Sequence, residues 1–142
     1  MNPVSKKTSV IIAGARDYHL PDNIEMWIVW LFADLRKEGY QIELVSSGEP
    51  GIGDIAKRLA HKHNVPIQNF WSHRARDGEN ATGIRNRKMA KYADRIIALP
   101  SGEAVDSLCR ECKIEEVTIY DFRDIRNPKV HVGKHNNRLV IS

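Results

Sequence analysis

Five short apolar runs, separated by stretches with helical spacing, limit the fold of this chain more than any other feature. The runs cover residues 9–13, 41–46, 65–70, 95–99 and 116–120. A short apolar run that ends at a turn signal is typical of a strand buried on both faces, as in parallel sheets covered by helices. The pattern predicts an α/β fold: a single Rossmann-like three-layer domain with a mainly parallel sheet of about five strands.

The stretches between these runs predict the helices. The first is apolar on one face from Ile24 to Leu35, with a cap at Asp22 or Asn23 and an end at Gly39. Further helices are predicted over residues 54–63, 84–92 and 102–112. Because strand and helix alternate throughout, we expect residues 1–122 to form one domain.

The end of the chain has a different pattern. Residues 129–132 and 138–141 are two short strand-like segments that flank Gly133-Lys-His-Asn-Asn137. Two such segments around a polar turn predict a β-hairpin. We therefore expect residues 123–142 to be a C-terminal extension that forms a hairpin.

The charge of the chain favours anionic ligands. Lysine and arginine number 22 against 18 aspartates and glutamates, a net charge of +4. No apolar run approaches the roughly 20 residues that span a bilayer, and no signal-peptide-like stretch follows Lys6 and Lys7. Two cysteines, Cys109 and Cys112, suit a reducing compartment. We expect a cytoplasmic protein that does not bind membranes.

Glycine-rich turns follow the first two predicted strands. The candidate ligand-binding residues in these turns are Gly14, Arg16, Asp17, Gly48, Glu49, Gly51, Gly53 and Asp54. Such turns lie at the carboxyl ends of parallel strands, where the ligand crevice of open α/β sheets is found. Glycine lets the backbone approach a phosphate, and the next helix presents free N–H groups. The same glycines could instead form tight turns that bind no ligand.

A basic segment, residues 73–91, holds six basic and two acidic side chains and so accounts for the whole net charge. Within it, Arg85 and Asn86 follow Gly83 in what we predict to be the first turn of a helix. A guanidinium and free amides at that position can hold an anion. The other cations of this helix, Arg87, Lys88 and Lys91, suit a solvated face better.

Four motifs occur in the order of a known family. They are Gly14-Ala-Arg-Asp-Tyr18, Ser47-Gly48-x5-Asp54-Ile-Ala56, Gly83-Ile-Arg-Asn-Arg-Lys-Met89 and Ala93-Asp-Arg-Ile-Ile-Ala98. Together they resemble the YspA-like branch of the SLOG superfamily, which is related to DprA and to the lysine-decarboxylase-like phosphoribohydrolases. The resemblance covers residues 9–120. One departure is that Glu49 and Pro50 follow Gly48 where the branch has a second glycine.

The resemblance implies a Rossmann-like fold and a site for nucleotides or nucleotide-derived molecules. By position, the site would be lined by Gly14, Arg16, Gly48, Asp54, Gly83, Arg85 and Asn86. Relatives are proposed as ligand sensors in conflicts between bacteria and phages. We therefore expect a sensor or sequestering protein for a small phosphorylated, nucleotide-type ligand.

Two other functions stay open at this point. The first is hydrolysis of the N-glycosidic bond of a nucleoside monophosphate, for which Glu49 and Asp54 are the candidate catalytic carboxylates. The phosphoribohydrolase signature Pro-Gly-Gly-x-Gly-Thr-x-x-Glu is absent from the chain, which favours binding. The second, binding of single-stranded DNA, would need a continuous basic groove, and the sequence offers one basic segment.

We expect no cofactor and no metal. Cys109-x2-Cys112 and His131-x3-His135 imitate a zinc pattern, but the cysteines fall on a predicted helix and a predicted strand lies between the pairs. The apolar first helix, with Trp27 and Trp30, and the C-terminal extension lead us to expect a homo-oligomer.

Overall fold

A computed structural model describes residues 4–14, 18–47, 54–100, 103–134 and 138–141. Its elements, in chain order, are β1 (Val4–Ala13), α1 (Asp22–Lys37), β2 (Tyr40–Ser46), α2 (Asp54–Lys62), β3 (Ile67–Asn69), α3 (Arg74–Asp77), a 3₁₀ turn (Gly78–Asn80), α4 (Ala81–Tyr92), β4 (Arg95–Ala98), α5 (Glu103–Ile114), β5 (Thr118–Asp121), β6 (Lys129–His131) and β7 (Arg138–Ile141). Strand and helix alternate from β1 to β5, which confirms the predicted α/β fold.

The sheet has the strand order of a Rossmann-like domain. Strands β3, β2, β1, β4 and β5 lie side by side and are all parallel. The chain moves outward from β1 to β3 and then crosses back to place β4 on the other side of β1. This reversal creates a crevice beyond the carboxyl ends of β1 and β4, which is the usual ligand position in such sheets.

Helices cover both faces of the sheet. On one face, α1 and α2 bury their apolar sides against β1, β2, β4 and β5, and the largest fully buried side chain there is Phe32. On the other face, α4 and α5 pack against residues such as Ile11, Ile96 and Ile119. Residues of β1 alternate between the two cores, with Val10 and Ile12 on the first face and Ile11 and Ala13 on the second. Every residue from Val10 to Ala13 is therefore buried in one core or the other, as the continuous apolar run predicts.

The C-terminal hairpin uses different strands from those the sequence indicates. Residues 129–132 and 138–141 were expected to pair with each other. Instead, β6 pairs antiparallel with β5, and β7 pairs antiparallel with the start of β1, from Val4 to Lys7. Each segment thus pairs with a strand of the domain, and both strands of the extension enlarge its sheet.

Two helix starts also differ from prediction. Helix α1 begins at Asp22, because the carbonyl of Pro21 accepts the N–H groups of Ile24 and Glu25 at 3.1 and 3.0 Å, and no side chain caps it. Helix α4 begins at Ala81, three residues earlier than expected. The chain turns at Gly78, where φ is +60°, so Gly83 lies inside the helix rather than before it.

Among the described residues, no helix is both long enough and apolar enough to cross a membrane.

Candidate functional site

A cavity of about 200 Å³ lies at the carboxyl end of β1, between the sheet and helices α4 and α5. The described residues that line it come from four parts of the chain: Ile11, Ile12 and Ala13; Ser47; Thr82, Arg85, Asn86 and Met89; and Ala104, Val105, Ser107 and Leu108. The cavity therefore lies beside the carboxyl end of β1, next to the crevice that the strand order creates.

Arg85 is the only charged residue among the described residues that line the cavity. Its side chain is 5% exposed. Ala81, Arg85 and Met89 follow one another at intervals of four residues, so they share the buried face of α4. Arg87, Lys88 and Lys91 lie on the exposed face of the same helix. The helix thus directs one cation of the basic segment inward and the others to solvent.

A neighbouring amide orients the Arg85 guanidinium. Its Nε and Nη2 donate to Oδ1 of Asn86 at 3.3 and 3.1 Å. A guanidinium can only donate, so the amide must present its oxygen to it, and its remaining polar group is an N–H donor. Asn86 is itself 3% exposed. The pair therefore places further N–H donors in the buried part of the site.

Three hydroxyl groups complete the polar part of the lining. Ser47 follows β2, Thr82 belongs to the first turn of α4, and Ser107 belongs to α5. Each hydroxyl can donate one hydrogen bond and rotate to meet a ligand. A set of N–H and O–H donors around a guanidinium matches the acceptor oxygens of a phosphate or a carboxylate.

The rest of the lining is apolar. Isoleucines and alanine of β1 form one wall, and Val105 and Leu108 of α5 form part of the other. Apolar walls exclude water and lower the local dielectric constant, which strengthens a charge–charge contact inside the cavity. An anion held by Arg85 would thus be bound more tightly than at the surface, provided that its own desolvation is compensated by the donors.

Gly14 and Gly83 are both predicted ligand-binding residues, and their surroundings in the structure differ. A Cβ at Gly14 would lie 3.1 Å from Cδ1 of Ile55 and 3.3 Å from Cβ of Leu99. Close packing of Ile55 and Leu99 on the end of β1 thus favours glycine at this position, and a contact between Gly14 and a ligand stays a prediction. Gly83 lies inside α4, so the expectation of a glycine turn before that helix is wrong. A Cβ there would make only an ordinary contact, 3.6 Å from Nη1 of Arg87, and a contact between Gly83 and a ligand stays a prediction.

The other predicted site residues either lie away from the cavity or fall outside the described part of the chain. Asp54 begins α2 and is exposed, and it is not among the residues that line the cavity. Arg16, Asp17, Gly48, Glu49, Gly51 and Gly53 lie outside the described residues. Their part in ligand binding stays a prediction. Arg85 and Asn86 are the two predicted residues that the structure brings into the cavity.

The sequence did not indicate the wall contributed by α5. Ala104, Ser107 and Leu108 are spaced three and four residues apart and so share one helix face. Small and polar residues at the start of that face were the available signal. Thr82 was missed because the start of α4 was placed after it.

The cysteines are packed thiols on α5. Cys109 and Cys112 are both buried and carry no disulfide. Burial raises the pKa of Cys109 to about 11 and raises that of Cys112 as well, so both are protonated at neutral pH. A protonated, buried thiol is a poor nucleophile. Their position on a helix agrees with the prediction from spacing.

Comparison of the sequence with models of known protein families gives no match. Comparison with curated proteins gives no match either.

Proposed function

We propose that the protein binds a small phosphorylated, nucleotide-type ligand and that Arg85 holds its anionic group. The observation that carries this proposal is the buried guanidinium in a cavity of about 200 Å³, where it is the only charged residue of the described lining. Burying a cation is costly, and it is tolerated where hydrogen bonds and an anion compensate for lost water.

The geometry favours a phosphate over a larger charged group. Arginine forms two parallel hydrogen bonds to phosphate, and the hydroxyls of Ser47, Thr82 and Ser107 supply further donors. The cavity is smaller than the roughly 300–1,000 Å³ of sites that enclose a whole drug-sized ligand. It therefore suits the phosphorylated end of the ligand, and the nucleoside part would lie outside it in the crevice beyond β1 and β4.

Binding fits the lining better than hydrolysis. Cleavage of an N-glycosidic bond needs a carboxylate beside the sugar. None of the described lining residues carries one, and Asp54 is exposed at the start of α2. The candidate base Glu49 lies outside the described residues, so the decisive experiment must detect products as well as binding.

The first prediction concerns Arg85→Met, measured by thermal unfolding with nucleoside mono- and diphosphates, cyclic nucleotides and ADP-ribose. A ligand at 100 times its Kd adds about 2.7 kcal/mol of stability, a clear rise in Tm. We expect that rise to disappear in Arg85→Met and to weaken in Arg85→Lys, which keeps the charge and loses the fork. Arg87→Met is the matched control, since Arg87 is exposed on the same helix.

Chromatography of the same samples separates the candidate functions. Intact ligand together with a shift lost in Arg85→Met supports a binding protein. Released base would show that the protein is a hydrolase, and Glu49 and Asp54 would then be the next positions to substitute. Binding of single-stranded oligonucleotides with a steep salt dependence would favour the DNA hypothesis. A wild-type protein whose Tm no compound in the set changes would contradict the proposal.

A further inference from the structure

Helix α1 exposes an apolar stripe on the side facing away from the sheet. Met26 is 71% exposed, Trp30 60% and Val29 39%. The opposite side of the helix is fully used, because Ile24, Ile28, Leu31 and Leu35 are buried in the core. Three large apolar side chains adjacent on one helix face form a patch of the kind that marks an interaction site.

The residues of this outer face are arranged symmetrically along the helix. Asp22 and Lys37 lie at its two ends, Met26 and Ala33 lie inside them, and Val29 and Trp30 lie at the centre. Each of these pairs is centred on the same point, between residues 29 and 30. Successive residues of a helix are rotated by about 100° around its axis. All six side chains therefore project from the helix within about 50° of one common direction. All six of these residues are exposed.

We propose that α1 is the interface of a homodimer in which two copies of the helix pack antiparallel about a twofold axis. The axis would pass between Val29 and Trp30. Each residue then faces its symmetry counterpart in the second copy: Asp22 faces Lys37, Met26 faces Ala33, and Val29 faces Trp30.

Charge complementarity identifies a second copy of this chain as the occupant. Glu25, the other acid of the first turn, is bound by Lys62 of α2, so Asp22 is the acid left on the outer face. The last turn carries Arg36 and Lys37, both exposed. An antiparallel pair brings the acidic end of each helix to the basic end of the other, whereas a parallel pair would oppose like charges. A twofold interface of this kind is self-complementary, as isologous dimers require.

The small residue opposite Met26 supports close packing. Ala33 offers a short side chain where Met26 of the second copy would enter, and methionine adapts readily to such a gap. A helix pair lies at the small end of interface areas. We therefore expect a dimer that dissociates on dilution.

The test is analytical ultracentrifugation of the full chain over a wide concentration range. We expect wild type to sediment as a dimer at high concentration, and Trp30→Glu to weaken dimerisation by about tenfold or more. Ile114→Glu is the matched control, because Ile114 is 71% exposed on α5 and lies outside the stripe. Both positions are exposed, and circular dichroism would verify that each variant is folded.

Charge reversal tests the antiparallel pairing. Each single variant, Asp22→Lys or Lys37→Asp, places like charges opposite each other at two points of the dimer. Each should weaken dimerisation by about fivefold. The double variant restores both pairs and should recover most of the wild-type affinity. A wild-type monomer at all concentrations would overturn the proposal, as would a dimer that Trp30→Glu leaves unchanged or a double variant weaker than both single ones. The cavity lies on the other face of the sheet, so ligand binding and dimerisation can fail independently.

Discussion

Two arginines are buried at opposite ends of the same sheet, and their surroundings differ. Arg85 is 5% exposed and lies near the carboxyl end of β1, on the face covered by α4 and α5. Arg95 is 7% exposed and is the first residue of β4, on the face covered by α1 and α2. From the sequence, Arg85 is predicted to bind a ligand, and no function is predicted for Arg95.

The protein itself fills the surroundings of Arg95. Its Nε donates to Oγ1 of Thr8 at 3.0 Å, its Nη1 donates to the hydroxyl of Tyr120 at 2.9 Å, and its guanidinium lies 5.3 Å from the centre of the Tyr40 ring. Arg85, by contrast, donates to the neighbouring Asn86 and also lines a cavity that holds three hydroxyl groups. A buried guanidinium enclosed by the fold's own hydroxyls and ring is a structural element, and one that borders a cavity is a candidate ligand contact.

The largest stability effect that we predict is that of Arg95→Met. Thr8 and Tyr120 would lose their donor, and the contact with Tyr40 would be lost, at a cost of about 3 kcal/mol in the free energy of unfolding. We expect Arg85→Met to cost less, about 1 kcal/mol, because it removes the hydrogen bonds to Asn86 and methionine retains the apolar contacts of the side chain. Urea unfolding of the two variants measures the difference.

Equal destabilisation by the two substitutions would break the comparison. Arg85 would then be as structural as Arg95, and the cavity would lose its main support as a ligand site. An Arg95→Met protein as stable as the wild type would also contradict the comparison, because Arg95 would then not be a structural element.

The sequence was sufficient for the architecture because the signals for the strands are local. The run from Val10 to Ala13, which ends at Gly14, predicts a strand buried on both faces, and the structure places it at the centre of the sheet. The partners of β6 and β7 could not be predicted. Both segments look alike in sequence, and which strand each one pairs with depends on edges that exist only after the sheet has formed.

The site was predictable only in part, for the same reason. Arg85 could be chosen over Arg87 because it was placed near the start of a helix, where a guanidinium and free amides can hold an anion. The structure brings Arg85 into the cavity, although the helix begins earlier, at Ala81. Ser107 and Ala104 could not be assigned to the site, because their place in the lining depends on how α5 approaches α4. Gly83 misled the prediction of the helix start, since packing of Ala81 and Arg85 outweighs the roughly 1 kcal/mol cost of a glycine inside a helix.

Helix α4 also allows the cavity around Arg85 to be compared with the end of the same helix at Tyr92. Tyr92, in its last turn, donates to Glu43 of β2 and accepts from Nζ of Lys7 at 3.3 Å. Glu43 also accepts from Oγ of Ser9 at 3.1 Å. We expect Tyr92→Phe to lower the free energy of unfolding by about 1 kcal/mol, the usual net worth of such hydrogen bonds, and to leave the ligand-induced rise in Tm unchanged. A loss of ligand response would place this end of α4 in the site as well.

The smallest effect concerns a third arginine, which the fold holds with carboxylates. Arg123 donates to both oxygens of Asp121, at 2.9 and 2.8 Å, and to Asp106 at 2.9 Å. These bonds hold the pKa of the Asp121 carboxyl below its usual value. A lowered carboxyl pKa stabilises the fold above about pH 3.9, the value in the unfolded chain, and that stabilisation is lost as the pH falls through the folded-state pKa.

We therefore expect Asp121→Asn to cost less than about 1 kcal/mol at pH 7, because Arg123 is a third exposed and solvent screens the pair. The difference from wild type should shrink as the pH falls below about 4, as followed by urea unfolding at a series of pH values. The same substitution in an Arg123→Met background should have little effect at any of these pH values, since the charge that lowers the pKa is gone. A cost that persists at low pH would show that Asp121 acts through its shape and not through its charge, and Arg123 would then resemble Arg95 more closely than its carboxylate partners suggest.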